Sequence, residues 1–279
     1  MTLTRTSLTH ATTRLSRIAL AVTVAFGLLP STAAAQNDGN VSLGAGVDFI
    51  NEYYFRGIIQ ETEGFIAEPY FEGSITFGDA SITAGTWSSL HSDHGIPDGG
   101  SSPQIWYEND FYAGVGYGAD LWEAGATYTA YSSPNGSFGT VHEIAFSLGI
   151  SDPVGLSPSV TVAVEVDGQA DGGSNEGTYV ELGIEPSIPL PDDAPVGLSV
   201  PVTVGLSASD YFEVNGEDNK FGFFNVGLMA SIPLSGVPAE YGSWEIAGGV
   251  QFLVFGDGLE ALNGDDFRPL GIFGLSLGY

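Results

Sequence analysis

From Val41 to Tyr279 the chain repeats one pattern, in which large apolar side chains alternate with small or acidic ones. Val41, Leu43, Ala45, Val47 and Phe49 fall on one parity, and Ser42, Gly44, Gly46 and Asp48 on the other. Val160, Val162, Val164 and Val166 likewise oppose Thr161, Ala163, Glu165 and Asp167. Successive side chains of a strand point to opposite faces, so a period of two predicts strands and excludes the 3.6-residue period of helices. Twelve such runs can be traced, at about 41–49, 68–77, 80–90, 106–117, 120–131, 141–150, 160–167, 180–185, 196–208, 221–232, 243–255 and 267–279. Most approach the ~9–11 residues that a tilted strand needs to cross a bilayer, and their number is even.

The links between runs sort into two kinds. Gly78-Asp79 and Gly118-Ala119-Asp120 are tight, and proline-rich links fall near 151–158, 189–195 and 233–238. Their counterparts at 89–105, 132–140, 168–178, 209–220 and 256–266 are rich in glycine and acid. A closed barrel sorts its connections in this way, with tight turns and both termini at one rim. The expected fold is therefore all-β, a single antiparallel transmembrane β-barrel of about twelve strands. Phe55, Phe77, Tyr117, Trp122, Trp244 and Tyr279 lie near strand ends and are expected to form interfacial girdles.

The two ends of the chain agree with export and insertion. Arg5, Arg14 and Arg17 precede an apolar run from Ile18 to Leu29, then Pro30 and Ala33-Ala34-Ala35. A basic start, a short apolar stretch and small residues describe a signal peptide, expected to be cleaved after Ala35. Residues 1–35 are then the signal peptide and 36–279 the barrel. Phe273, Leu275, Leu277 and Tyr279 form a terminal alternating strand ending on an aromatic residue. They are the expected insertion signal for the barrel-assembly machinery. The expected location is the outer membrane of a Gram-negative bacterium, with its lipid and lipopolysaccharide as partners.

Charge decides which face is which. All 34 acidic residues lie beyond residue 35, against only Arg56, Lys220 and Arg268 of the six basic ones. That balance argues against nucleic acid as a partner, because phosphate binding needs basic patches. In a soluble sandwich the apolar parity turns inward, whereas in a membrane barrel it meets lipid. The opposite parity carries Asp48, Glu52, Glu68, Glu72, Glu108, Asp110, Glu123, Glu143, Glu165, Asp167, Glu181, Glu185 and Glu245. Dry burial of so many carboxylates would be costly, so a lumen holding water or cations is expected. Arg56 is expected on the inner face at the upper end of strand one, where the chain turns outward. Glu52 is expected below it on the same face, with Glu68 and Glu72 on the neighbouring strand.

Glu52-Tyr-Tyr-Phe-Arg-Gly-Ile-Ile-Gln60 resembles the acidic-Tyr-x-Phe-Arg-Gly-Ile-Ser-Gln segment of the TorF-like porins, a family of conserved bacterial proteins. Gly85-Thr86-Trp87 resembles the family's Gly-Thr-Trp, and Glu108-Asn-Asp-Phe-Tyr-Ala-Gly-Val-Gly-Tyr117 its Glu-x-Asp-x-Tyr-x-Gly-Tyr. Ile59 replaces the serine of that pattern, and one glycine is added before Tyr117. All three segments lie in the first half of the barrel. The resemblance implies an outer-membrane barrel and leaves the solute open.

Enzymatic and metal chemistry find little support. His91-Ser-Asp-His94, with Asp98, falls in the longest expected loop, which also contains Gly95, Gly99 and Gly100. A flexible loop does not fix the three or four ligands of a zinc site. His142 falls on the lipid-facing parity. The Gly-x-Ser-x-Gly spelled by Gly274-Leu-Ser-Leu-Gly278 falls within the terminal alternating strand and not at a strand-to-helix elbow, and His-Glu-x-x-His does not occur in the sequence. No cofactor is expected, although 167–173 and 215–219 are rich enough in Asp, Asn and Gly to hold divalent cations loosely. The leading expectation is a passive diffusion channel for small cationic or neutral solutes. A non-conducting barrel that binds a surface partner is second, and a barrel hydrolase third.

Overall fold

The computed structural model describes residues 40–93, 105–151, 155–191 and 194–279. Ala35, His94 and Asp98 lie outside the described residues. The strands are β1 (Val41–Ile50), β2 (Tyr53–Phe55), β3 (Ile58–Glu61), β4 (Ile66–Phe77), β5 (Ala80–His91) and β6 (Trp106–Gly118). They continue with β7 (Trp122–Ser132), β8 (Val141–Ile150), β9 (Ser159–Asp167), β10 (Thr178–Ile184), β11 (Gly197–Ser199) and β12 (Val202–Ser209). The last are β13 (Glu213–Val214), β14 (Glu217–Asp218), β15 (Phe221–Pro233), β16 (Ser243–Phe255) and β17 (Phe267–Gly278), with one helix, α1 (Asp257–Asn263), between β16 and β17.

Twelve staves close into one antiparallel barrel: β1, β4 to β10, the β11–β12 pair, β15, β16 and β17. Closure falls at β1, which pairs with β4 on one side (Asp48 opposite Glu68) and β17 on the other (Val47 opposite Leu275). Among the described residues, the barrel sheet closes on itself, so its staves pair with neighbours on both sides. The terminal strand is thus the seam of the barrel. β11 and β12 are one stave broken at Val200-Pro201, because proline has no N–H to give the ladder.

The faces invert relative to a soluble protein, as the charge pattern requires. Phe71, Phe77, Phe111, Val115, Phe146 and Phe273 are each more than half exposed on the outside. Asp48, Glu68, Glu108, Asp110, Thr127, Glu143, Glu165 and Ser276 are buried on the inside. Small lumen-facing residues have a packing reason. A Cβ on Gly85 would come within 2.4 Å of the Tyr112 hydroxyl, and one on Gly46 within 2.6 Å of the Tyr70 ring. Each tyrosine sits directly opposite its glycine on the adjacent stave and lies across it, a pairing that fills the space a glycine leaves in a sheet.

The main departure from the sequence reading is at the other rim. β1 ends at Ile50, and residues 51–65 form a further long connection whose hairpin, β2–β3, bends into the barrel rather than outward. Alternation through Tyr53 and Phe55 looks like more strand, but those rings pack inside. With Tyr54, Ile58, Tyr211, Phe212, Phe223, Leu253, Phe255 and Leu259 they make an apolar core within the barrel mouth. Phe55 is therefore a plug residue, whereas Phe77, Tyr117, Trp122 and Tyr279 are exposed near the opposite rim. Tyr117 and Trp122 also pack against each other, with ring centroids 5.7 Å apart.

Candidate functional site

Arg56 lies at the tip of the β2–β3 hairpin, and its side chain is fully enclosed by the barrel. The tip is a turn in which Arg56 has φ 48 and Gly57 φ 82. Left-handed backbone suits glycine and strains a residue with a Cβ, so the arginine is held there by its contacts. Its two terminal nitrogens donate to Glu143 on β8, Nη1 to Oε2 at 2.5 Å and Nη2 to Oε1 at 2.7 Å. Nη1 also donates to the Tyr211 hydroxyl at 2.7 Å. The guanidinium carbon stands 4.4 Å from the centre of the Tyr179 ring and 5.2 Å from those of Phe55 and Tyr211. A planar cation that is forked onto a carboxylate and stacked between rings is what arginine offers and lysine does not.

Other contacts hold the hairpin in place. Asn263, the last residue of α1, accepts from the Ile59 amide at 3.0 Å and donates to the Gly57 carbonyl at 2.7 Å. Tyr53 donates to Glu108 on β6 at 2.9 Å, and Tyr107 donates to Gln60. The connection between β12 and β15 supplies Tyr211 and Phe212, whose rings pack edge to face 5.2 Å apart.

The expected lumen residues sort into four groups. Asp48, Glu68, Glu108 and Asp110 are buried together on staves β1, β4 and β6, with β5 between the last two. Glu72, Glu123, Glu165 and Glu181 also face inward on their staves. Glu52 stands at the mouth, 3.9 Å from Arg268. Glu185 lies past the end of β10, exposed and bonded by Ser199, and Asp167 is exposed beside the bulge between β8 and β9. Neither is buried inside the barrel.

The expected neighbourhood of Arg56 also changes. Its partner is Glu143 on β8 and not Glu68 or Glu72 on β4, because the residue rides on an inserted turn and not on stave β1.

Tyrosine hydroxyls answer many of these carboxylates. Besides Tyr53 to Glu108, Tyr112 donates to Glu72 at 3.1 Å, Tyr131 to Glu143 at 3.1 Å, Tyr179 to Glu181 at 2.7 Å and Tyr54 to Glu52 at 2.9 Å. A neutral donor stabilises a carboxylate without neutralising it. The wall therefore keeps its acidic character with few bases near it. Tyr179-Val-Glu181 and Glu52-Tyr-Tyr54 were readable as same-face pairs two residues apart. The partners of the other three come from different elements.

His91 is the clearest reassignment in the chemistry. It ends β5, stacks on Tyr107 with centroids 4.4 Å apart, and bonds Ser89 Oγ through Nε2 at 2.8 Å. Glu61 lies 3.7 Å from its Nδ1. Serine, histidine and glutamate thus stand in the order of a hydrolase triad. Ser89 is 0% and His91 1% exposed, which leaves no room for a substrate carbonyl at Oγ. His142 is on the outer face, as its parity implied, stacked on Tyr128 and 2.6 Å from its hydroxyl.

Hydrogen bonds within and between the acid-rich loops engage several of their carboxylates. Glu213 accepts from the Ser174 and Asn175 amides at 2.8 and 2.9 Å, and Asp171 from the Glu213 amide at 2.6 Å. Asp218 accepts from Ser207, the Asp210 amide and Lys220. Among the described residues, no group of three or more His, Cys, Asp or Glu is placed to hold a metal ion.

A closed barrel with an apolar outer belt, an acidic inner wall and an inserted hairpin defines the class: a plugged transmembrane β-barrel. No family model matches the chain, and no curated protein matches it. Among solved structures it is similar to the NanC porin, at 10% identity over 84% of this chain and 98% of that one, with a TM-score of 0.46. It is also similar to the translocator domain of the autotransporter NalP from Neisseria meningitidis (14%, 88% and 89%, 0.39) and to LpxR from Salmonella typhimurium (7%, 84% and 99%, 0.43). Likeness at this level transfers no residue role and no activity.

Proposed function

We propose that the protein is a channel of the bacterial outer membrane for small cationic or neutral solutes, and that the inserted hairpin holds it closed in the conformation described. The observation that carries this reading is the inner wall, where Asp48, Glu68, Glu108 and Asp110 are buried on staves β1, β4 and β6 of one stretch of the barrel beneath the plug. A purely structural barrel gains nothing from burying carboxylates, and apolar side chains would fill it at lower cost. Fixed negative charge along a passage concentrates cations and repels anions. Outer-membrane placement follows from the belt of exposed aromatic and aliphatic side chains and from the terminal strand at the barrel seam. Assembly machinery and lipopolysaccharide are the partners that go with that location.

A second reading, a barrel that never conducts, is favoured by the plug itself. Tyr54, Tyr211 and Phe212 are at most 1% exposed, a degree of packing typical of a folded core. Planar-bilayer recording separates the two. Discrete openings with a cation-selective reversal potential under a salt gradient are expected. Silence at every voltage, persisting when Tyr211 and Phe212 are both changed to alanine, would establish the non-conducting barrel instead.

A further inference from the structure

We propose that the place on the barrel wall filled by Arg56 is a receptor for guanidinium-bearing solutes, kept shut by the chain's own arginine. The cation is carried by the hairpin, but most of what recognises it is not. Glu143 comes from β8, Tyr131 from β7, Tyr179 from β10, and Tyr211 from the connection after β12. Their arrangement fits the shape of the ion. Glu143 presents two oxygens in the plane of the fork, at 2.5 and 2.7 Å from separate nitrogens. Its Oε1 also accepts from Tyr131, which fixes the carboxylate's orientation. Tyr179 donates its hydroxyl to Glu181, which positions its ring over the guanidinium carbon at 4.4 Å. An ammonium ion could pair with one oxygen, but it has no plane to match the other or to stack on the ring.

Three further observations point to exchange with a free ligand. Arg56 reaches the site from a left-handed backbone, at φ 48, so withdrawal of the hairpin relieves strain. Its Nε is buried and has no hydrogen-bond partner, so the resident side chain uses less of its donor set than a free guanidinium could offer. A cavity of about 60 Å³ adjoins the site and shares Phe55 and Tyr131 with it. Gln60, Phe138 and Glu108 also line the cavity. A cation arriving there meets Glu108 and aromatic faces, one of them Tyr131, whose hydroxyl donates to Glu143. Binding at Glu143 then competes with Arg56 and releases β2–β3, an exchange of one planar cation for another. The consequence for conduction rests on the channel reading; the receptor itself does not.

The test uses ethylguanidinium chloride, with ethylammonium chloride as the salt-matched control. Arg56→Gly vacates the site and suits the turn. Refolded in detergent, this variant should be stabilised by ethylguanidinium, its folded-to-unfolded ratio rising about tenfold at ten times the dissociation constant. Ethylammonium should do much less, and a further Glu143→Gln change should remove the difference. Equal effects of the two salts, or none, overturn the proposal. If Arg56→Gly does not fold, the wild type decides through hydrogen exchange of residues 53–61. That exchange should quicken with ethylguanidinium and not with ethylammonium, and unchanged exchange overturns the receptor. The same protein recorded in bilayers keeps the two readings apart. Ligand-specific stabilisation in a silent barrel leaves the receptor and removes the channel, whereas conduction without ligand specificity does the reverse.

Discussion

The pair of Arg56 and Glu143 shows how one residue comes to control a plug. Its side chains are each 2% exposed, so neither charge can fall back on water if the other is removed. Breaking such a pair is destabilising by ~3–5 kcal/mol, while replacing both members by apolar groups of similar volume is often close to neutral. Glu143→Leu should therefore lower the denaturant midpoint clearly, and the double change Arg56→Leu with Glu143→Leu should recover most of the loss. A double variant no better than Glu143→Leu alone would mean that packing around Arg56, and not the charge, holds the hairpin. A milder effect belongs to the wall. Gly85→Val drives a side chain into the Tyr112 ring and should destabilise by ~1–3 kcal/mol, the usual range for overpacking.

At the scale of elements, the long connections behave as a second layer of structure. The loop over residues 168–177 is tied to the one over 210–220 through Glu213, whose carboxylate takes both the Ser174 and Asn175 amides. Those hydrogen bonds hold its pKa below the ordinary value. A carboxylate whose folded pKa is depressed contributes stability above its unfolded value, roughly 4.3, and loses it as pH falls through the folded value. Asp171, bonded to the Glu213 amide, has the opposite sign. Burial raises its pKa, so acid relieves it. The Ser174 and Asn175 amides should thus lose protection, measured against their intrinsic exchange rate, as pH falls through the depressed pKa of Glu213, and Glu213→Ala should remove that protection at neutral pH as well. Exchange at those amides that ignores both pH and the substitution would show the tie to be idle.

At the scale of the whole molecule, the balance of 34 acidic and six basic residues becomes a spatial statement. Asp48, Glu68, Glu108 and Asp110 face a confined volume, with Tyr53 donating to Glu108 and Arg56 as the single fully buried arginine or lysine among the described residues. Low-dielectric walls focus such a field, and salt screens it over ~10 Å at 0.1 M. Cation selectivity should accordingly fall as the salt concentration rises, and Arg56→Gly should increase it. An anion-selective reversal potential would contradict the charge of the wall.

The sequence by itself determined the barrel. A period of two recurring twelve times, with links alternately tight and long, admits few other folds, and every one of the twelve runs is a stave. Inversion of the faces was legible too, because large apolar residues share one parity with few charges while carboxylates share the other. What only the tertiary structure decided is where the chain leaves the wall. Tyr53 and Phe55 alternate like stave residues, and nothing local distinguishes a ring that meets lipid from one that packs inside the mouth. That choice depends on Asn263, Glu143 and Tyr211, which lie 87 to 206 residues away along the chain from the hairpin residues they hold. Strand periodicity is a local property set by the pleat, whereas a plug is a set of long-range contacts, and only folding brings those side chains together.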